Sequence, residues 1–169
     1  AGHARRILQE RRVGENVHEA LKAMFSTIDD DPIRLRVLWA LHVTGGLDEE
    51  FGQTLLKDSS EYIRGWAIQL LFESKSASAV LLDELKGLAA NDDSPFVRLY
   101  IASALQRMPV SKRLEILLPL IGHLEDHSDH NLPLMYWYAS EAVVGESMAA
   151  GIRLLAATEI PVLRQFIAR

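Results

Sequence analysis

The chain has 169 residues, with 18 Lys and Arg against 23 Asp and Glu and a formal net charge of −5. That length holds one ordinary domain or an array of small repeats, and the acidic balance lacks the basic footprint of a nucleic-acid binder. Cysteine is absent, which excludes disulfides, thiolate metal sites, Cys nucleophiles and haem attachment within this stretch, and no apolar run approaches the roughly 18 residues of a membrane span.

Apolar residues recur at i, i+3, i+4 and i+7 from the first residues onward, as in Ala4, Ile7 and Leu8. Leu (26) and Ala (19) dominate and strand-like alternation is nearly absent, so every element is predicted to be a helix. Residues 1–11 read as the end of one helix and 17–28 as the next. Asp31-Pro32, an N-cap residue followed by proline, opens 31–44, and Gly45-Gly46 closes it. Helices are then predicted at 48–57, 60–73 and 77–90. Ser94-Pro95 opens 94–107, and Pro109-Val110-Ser111 separates it from 111–125. The chain continues with 131–144, a stop at Gly145, then 147–157 and 160–169. Both ends read as cut from something longer, which would leave Leu8 and Ile167 near open ends.

An internal repeat organises these helices. Ile33-Arg34-x-x-Val37-x-x-Ala40-Leu41 returns as Ile63-Arg64-x-x-Ala67-x-x-Leu70-Leu71 and as Val97-Arg98-x-x-Ile101-x-x-Ala104-Leu105. A degenerate copy runs Leu132-Pro133-x-x-Tyr136-x-x-Ala139, and a truncated one runs Leu163-Arg164-x-x-Ile167. The copies start 30, 34, 35 and 31 residues apart. One more amphipathic helix fits between successive copies, and two helices per period is the unit of an α-solenoid. An Asp stands six residues before the Arg in two copies, Asp58 before Arg64 and Asp92 before Arg98. Its charge suits a helix N-terminus, and it can pair with an Arg of its own or the adjacent copy. The first copy departs, with the run Asp29-Asp30-Asp31. The fourth departs further, with Pro133 at the Arg place and His127 at the Asp place.

This pattern resembles the HEAT repeat family. The resemblance implies an all-α, α-α superhelix of antiparallel helix pairs, with residues 1–169 forming a single HEAT-like domain. The period also suits tetratricopeptide repeats, but their Trp/Gly/Tyr consensus is missing. A narrower resemblance lies in Arg34–Glu49, Ser59–Leu71, Ser94–Pro109 and Asp129–Glu141. These segments are similar to the helical middle region of the large PVC-type c-haem-binding, membrane-bound-dehydrogenase-like proteins. That resemblance implies an exported or periplasmic, multidomain redox parent. The Cys-x-x-Cys-His motif and the propeller of such proteins are not in this stretch.

On a helical wheel at 100° per residue, the places of 33, 37, 40 and 41 form the expected core face. The columns of 36 and 38 lie on its flanks: Arg36, Trp66, Tyr100 and Met135, then Leu38, Ile68, Ala102 and Trp137. They read as packing between stacked units rather than as an aromatic binding stripe. The columns of 35, 39 and 42 point away from the core. Half of their twelve side chains are large and apolar or aromatic, more than a solvated face needs. Leu35, Trp39, Leu99, Leu134 and Tyr138 are therefore the expected partner-binding residues, for another domain of the parent or a separate protein.

His123, Asp126, His127, Asp129 and His130 crowd into eight residues. They read as the polar loop at a helix end rather than as a metal site. The acidic run Asp29-Asp30-Asp31 reads as a cap, and Arg5-Arg6 with Arg11-Arg12 as a solvated face. No phosphate loop, nucleophile elbow or zinc-protease motif occurs, so no catalytic residue, cofactor or metal ligand is expected. The expectation is a non-catalytic interaction or scaffold domain, redox-related only through the resemblance of its parent. Two other readings stand beside it: a HEAT-like DNA glycosylase, with Trp39, Trp66 and several Asp side chains in a cleft, and a docking cradle for a haem or electron-transfer domain. The net charge opposes the first of these, because such a cleft must neutralise phosphates. The chain should show no appreciable binding to single- or double-stranded DNA at physiological salt in a fluorescence titration. Submicromolar affinity falling steeply with added salt would contradict this.

Overall fold

The computed structural model describes residues 14–73 and 77–169. Among them are ten α-helices and two short 3-10 turns, with no strand, so the fold is all-α. In chain order the helices are α1 (Glu15–Thr27), α2 (Asp31–Thr44), α3 (Glu49–Leu56), α4 (Glu61–Leu71), α5 (Ala79–Asn91) and α6 (Pro95–Arg107). They continue with α7 (Leu114–Leu120), α8 (Leu132–Glu146), α9 (Met148–Ala157) and α10 (Pro161–Ile167). The 3-10 turns, Val110–Lys112 and Leu124–Ser128, flank α7. The helix expected over 111–125 is therefore shorter. Pro119 near its end removes a backbone donor, and the polar segment after it coils more tightly. The helix expected at 1–11, the basic pairs Arg5-Arg6 and Arg11-Arg12, and Leu8 lie outside the described residues.

Local chemistry sets the helix ends. The Asp30 carboxylate accepts the amide of Ile33 at 2.9 Å, so Asp30 is the cap of α2 and Asp31 its first residue, one place earlier than the sequence suggests. Ser94 caps α6 through the Val97 amide, with Pro95 following. At the end of α2, Gly45 takes a left-handed φ of 79°, its amide bonds to the His42 carbonyl, and the Gly46 amide bonds to the Leu41 carbonyl at 2.8 Å. This paired closure needs glycine at the left-handed place. Gly46 has a different constraint: a Cβ there would lie 2.5 Å from the His18 ring. Gly145 does not stop a helix; it lies inside α8.

The chain divides into two compact units, one ending at Leu70 and one beginning at Leu71. In the first, Phe25, Leu38, Leu41, Leu55, Leu56, Ile63 and Ile68 are buried. Phe25 meets Phe51 edge-on at 5.5 Å, joining α1 to α3. In the second unit, alternate helices pack on one another: α5 on α7 and α7 on α9, and likewise α6 on α8 and α8 on α10. Leu85, Ile101, Leu105, Leu117, Leu120, Tyr136, Leu154 and Leu163 are fully buried there.

The expected core face is partly displaced. Ile33 is 38% exposed and Ala40 half-buried, whereas Leu38, Ile68 and Ala102, placed on a flank by the wheel, are fully buried. In the second unit the reason is visible. The helices that carry the motif pack on each other as well as on their partners, so one flank is enclosed too. Ile167 is buried rather than lying at an open end. Ile101→Ala removes a fully buried side chain from α6 and should cost about 2–5 kcal/mol in denaturant unfolding. A change within about 0.5 kcal/mol, the range of a surface site, would contradict this placement.

Candidate functional site

The most concentrated polar chemistry lies inside the second unit. Arg98 of α6 is 2% exposed and Asp126, in the 3-10 turn before α8, is 3% exposed. The Arg98 Nε–H donates to one carboxylate oxygen of Asp126 at 2.7 Å and Nη2 donates to the other at 2.5 Å. Tyr136 of α8, fully buried, donates its hydroxyl to Asp126 at 2.5 Å. Arg98 Nη1 turns back to the carbonyl of Asp92 at 2.8 Å. An isolated charge at such depth costs several kcal/mol, and a two-pronged pair with further hydrogen bonds offsets that cost. Desolvation opposes the Arg98 charge, but Asp126 outweighs it and holds the guanidinium above its ordinary value. Burial, then the hydrogen bond and charge of Asp126, pushes the Tyr136 hydroxyl far above the ordinary tyrosine range. These groups are locked together and no atom among them is presented to a substrate.

The backward bond of Arg98 recurs at two other copies of the motif. Arg64 Nη1 donates to the carbonyl of Asp58 and Arg164 Nη1 to that of Thr158, each at 2.8 Å and each six residues back. The residue supplying the carbonyl also braces the turn with its side chain. Asp58 accepts the Ser60 amide at 2.9 Å, Asp92 the Ser94 amide at 3.0 Å, and Thr158 the Ile160 amide at 3.2 Å. In the first unit, Arg34 grips Asp58 with both terminal nitrogens, one at 3.1 Å, and also reaches Asp31 at 3.3 Å. Asp31 in turn accepts the Ser60 hydroxyl, and Arg34 stacks 4.4 Å from the centre of the Phe25 ring. An arginine of one copy thus binds an aspartate of the next in both units: Arg34 with Asp58, and Arg98 with Asp126.

The fourth copy corrects the sequence alignment. Asp126 does the work assigned to the place of His127, one residue later. The tight 3-10 turn shifts the register by one, and His127 is exposed with Nδ1 3.0 Å from the Leu124 carbonyl oxygen. The spacing held a usable signal: Asp126 follows Arg98 by 28 residues, as Asp92 follows Arg64. Tyr136 was legible only as a core residue, because nothing local announces its hydroxyl bond.

The histidine-rich segment is occupied with similar tasks. His123 has Nε2 2.9 Å from the Ala89 carbonyl oxygen and Nδ1 2.9 Å from Glu125. The Glu125 amide and then His123 hold that carboxyl below its usual range. Asp129 accepts the amides of Leu132 and Asn131 at 2.8 and 2.7 Å, which lowers it likewise. No group of three or more candidate ligands is placed to hold a metal ion among the described residues. A cleft of about 510 Å³ is lined by Glu73, Gln106, Arg107, Met108, Pro109 and Arg113. Its Arg113 is buried and spent on the carbonyls of Gln106, Met108 and Ala139, closing the end of α6.

The residues expected to bind a partner fall in both units. In the first, Leu35 and Trp39 are half-buried, and Trp39 meets Trp66 at 5.1 Å and His42 at 6.3 Å, both edge-on. In the second, Leu134 is 40% exposed and Tyr138, one turn later on α8, is 50% exposed. Leu99 is half-buried at the equivalent place on α6. No protein-family model matches this chain, and neither a curated protein nor a solved structure does.

Two outcomes check the buried cluster. Asp126→Asn leaves a buried guanidinium without its counter-charge and should cost about 3–5 kcal/mol. Tyr136 titrates near 10 in the unfolded chain and higher in the folded one, so its contribution is complete below pH 10 and is lost as pH rises further. Stability should therefore fall above about pH 10, and less steeply in Tyr136→Phe. Parallel pH profiles would contradict the buried hydroxyl.

Proposed function

We propose that this chain is a non-catalytic helical-repeat scaffold of the HEAT-like, solenoid kind, whose task is to bind another protein or domain. One observation carries the reading: an arginine of one copy of the motif grips an aspartate of the next, in each unit. Polar side chains that would otherwise be candidates for chemistry are thereby committed to joining helices. Alternate-helix packing in the second unit supports the stacked arrangement, because each hairpin of a solenoid contacts its neighbours along the array.

The proposed docking surface in the second unit centres on Leu134 and Tyr138, with Leu99 beside the same row of positions. Leu35 and Trp39 are the corresponding residues of the first unit. A tyrosine offers a large contact area at low entropic cost, and anchors of this type concentrate binding energy. A partner domain of a multidomain redox parent is the occupant that the sequence resemblance favours.

The test is quantitative capture with the immobilised chain against an extract of its source cells, wild type beside Leu134→Ala/Tyr138→Ala. The double variant should keep the wild-type circular dichroism and lose at least about 1.4 kcal/mol, tenfold, in affinity for the captured partner. Equal affinity of variant and wild type would remove this surface from the proposal.

A further inference from the structure

His123 stands between two acceptors. Its side chain is 16% exposed, with Nε2 2.9 Å from the Ala89 carbonyl oxygen and Nδ1 2.9 Å from the Glu125 carboxylate. Ala89 lies in the last turn of α5, where carbonyls have no helical partner and form the negative end of the helix dipole. Glu125 lies in the 3-10 turn Leu124–Ser128, the turn that also supplies Asp126 to Arg98. One ring therefore ties the end of α5 to the turn that leads into α8.

A carbonyl oxygen cannot donate a hydrogen bond, and neither can an ionised carboxylate. The Glu125 carboxyl is held below its usual range by its own amide and then by His123, so it is ionised near neutral pH. A neutral imidazole has one N–H and one lone pair. It can satisfy one of these oxygens and sets its lone pair against the other. The imidazolium has an N–H for each, so the doubly protonated ring is the form that completes both bonds.

The charged groups around the ring leave Glu125 to it. Arg98 Nη2 approaches the same Glu125 oxygen at 3.6 Å but is bound to Asp126 at 2.5 Å, and Tyr136 of α8 also donates to Asp126. At the end of α5, the Asp92 carboxylate accepts the Ser94 amide, and Lys86, one turn before Ala89, is 3.7 Å from Glu115 of α7. Farther along the turn, His127 meets the Leu124 carbonyl and Asp129 accepts the amides of Asn131 and Leu132.

We infer that His123 is a proton-operated clasp: with both ring nitrogens protonated it holds the end of α5 to the turn that carries Asp126, and on losing one proton it releases one of the two ties. The two-donor form prevails on the acid side. The turn is therefore held most tightly there and loosens as pH rises through the range in which histidine titrates, about pH 5 to 8. Glu125 and Asp129 lie below that window and Tyr136 above it, so the histidine proton is the variable. The clasp acts inside the second unit and stands independently of the scaffold reading.

Amide hydrogen exchange tests it, expressed as protection factors so that the intrinsic pH dependence of exchange is removed. The reporters are the Asp92 amide, bonded to the Leu88 carbonyl at the end of α5, and the Asp126 amide, bonded to the His123 carbonyl. In the wild-type chain their protection should fall about tenfold from about pH 5 to about pH 8, the size expected of one hydrogen bond to a charged group. Magnetic resonance of the His123 ring in the same samples should give a titration midpoint that coincides with the loss of protection. His123→Gln keeps a donor but has no titrating proton, and its profile should be flat. Glu125→Gln should shrink the change, because its amide can turn an N–H toward a neutral ring. Parallel profiles in wild type and His123→Gln would overturn the clasp. So would a His123 titration that leaves the wild-type protection unchanged, a result that depends on no variant folding.

Discussion

A buried guanidinium with its carboxylate governs how this chain can fold. Arg98 and Asp126 come from segments 28 residues apart, and both are almost fully removed from water. Neither tolerates that position alone, since an unpaired charge in the interior costs several kcal/mol. The two must therefore arrive together, which fixes α6 against the turn that leads into α8. Tyr136 then adds a third contact to the carboxylate from α8 itself. Well-packed apolar side chains can replace a buried pair of this kind at little cost in net stability, so register is the contribution expected of it.

The second constraint is the economy of each turn. Arg98, which reaches forward to Asp126, also caps backward, taking the carbonyl of Asp92 six residues before it, and Arg64 and Arg164 make the same backward bond. Helix ends leave carbonyls and amides without partners inside the helix. One long side chain with five donors answers part of that need and keeps a fork free for the neighbouring copy. Lysine has no such fork, so Arg→Lys at these places is not a conservative change. Pro133 and Thr158 mark where the link has been given up on both sides, and there α8 and α10 meet instead through Trp137 and Phe166 at 5.6 Å.

Much of the fold was legible in the sequence because its signals are local. Ser94-Pro95 and Gly45 act within a turn, and the chemistry that selects them needs no distant residue. The helical period was equally plain, since burial of one face repeats every few residues. Side chains that depend on a second helix were read less well. Leu38 and Ile68 looked like flanks and are fully buried; Ile33 looked like core and is not. Asp126 was missed at its true place because a 3-10 turn shifts the register by one residue, a change without a compositional signature. Of the expected partner-binding residues, Tyr138 and Leu134 are exposed, and Trp39 is half-buried beside Trp66.

The central claim is that the arginine of one copy and the aspartate of the next form one energetic unit. A double-mutant cycle on Arg98→Met and Asp126→Leu, followed by urea unfolding, tests it most directly. Each single change leaves a buried partner stranded and should destabilise strongly, whereas the double change should recover much of that loss, giving a coupling energy of about 2–3 kcal/mol. Additive effects of the two substitutions would contradict the account.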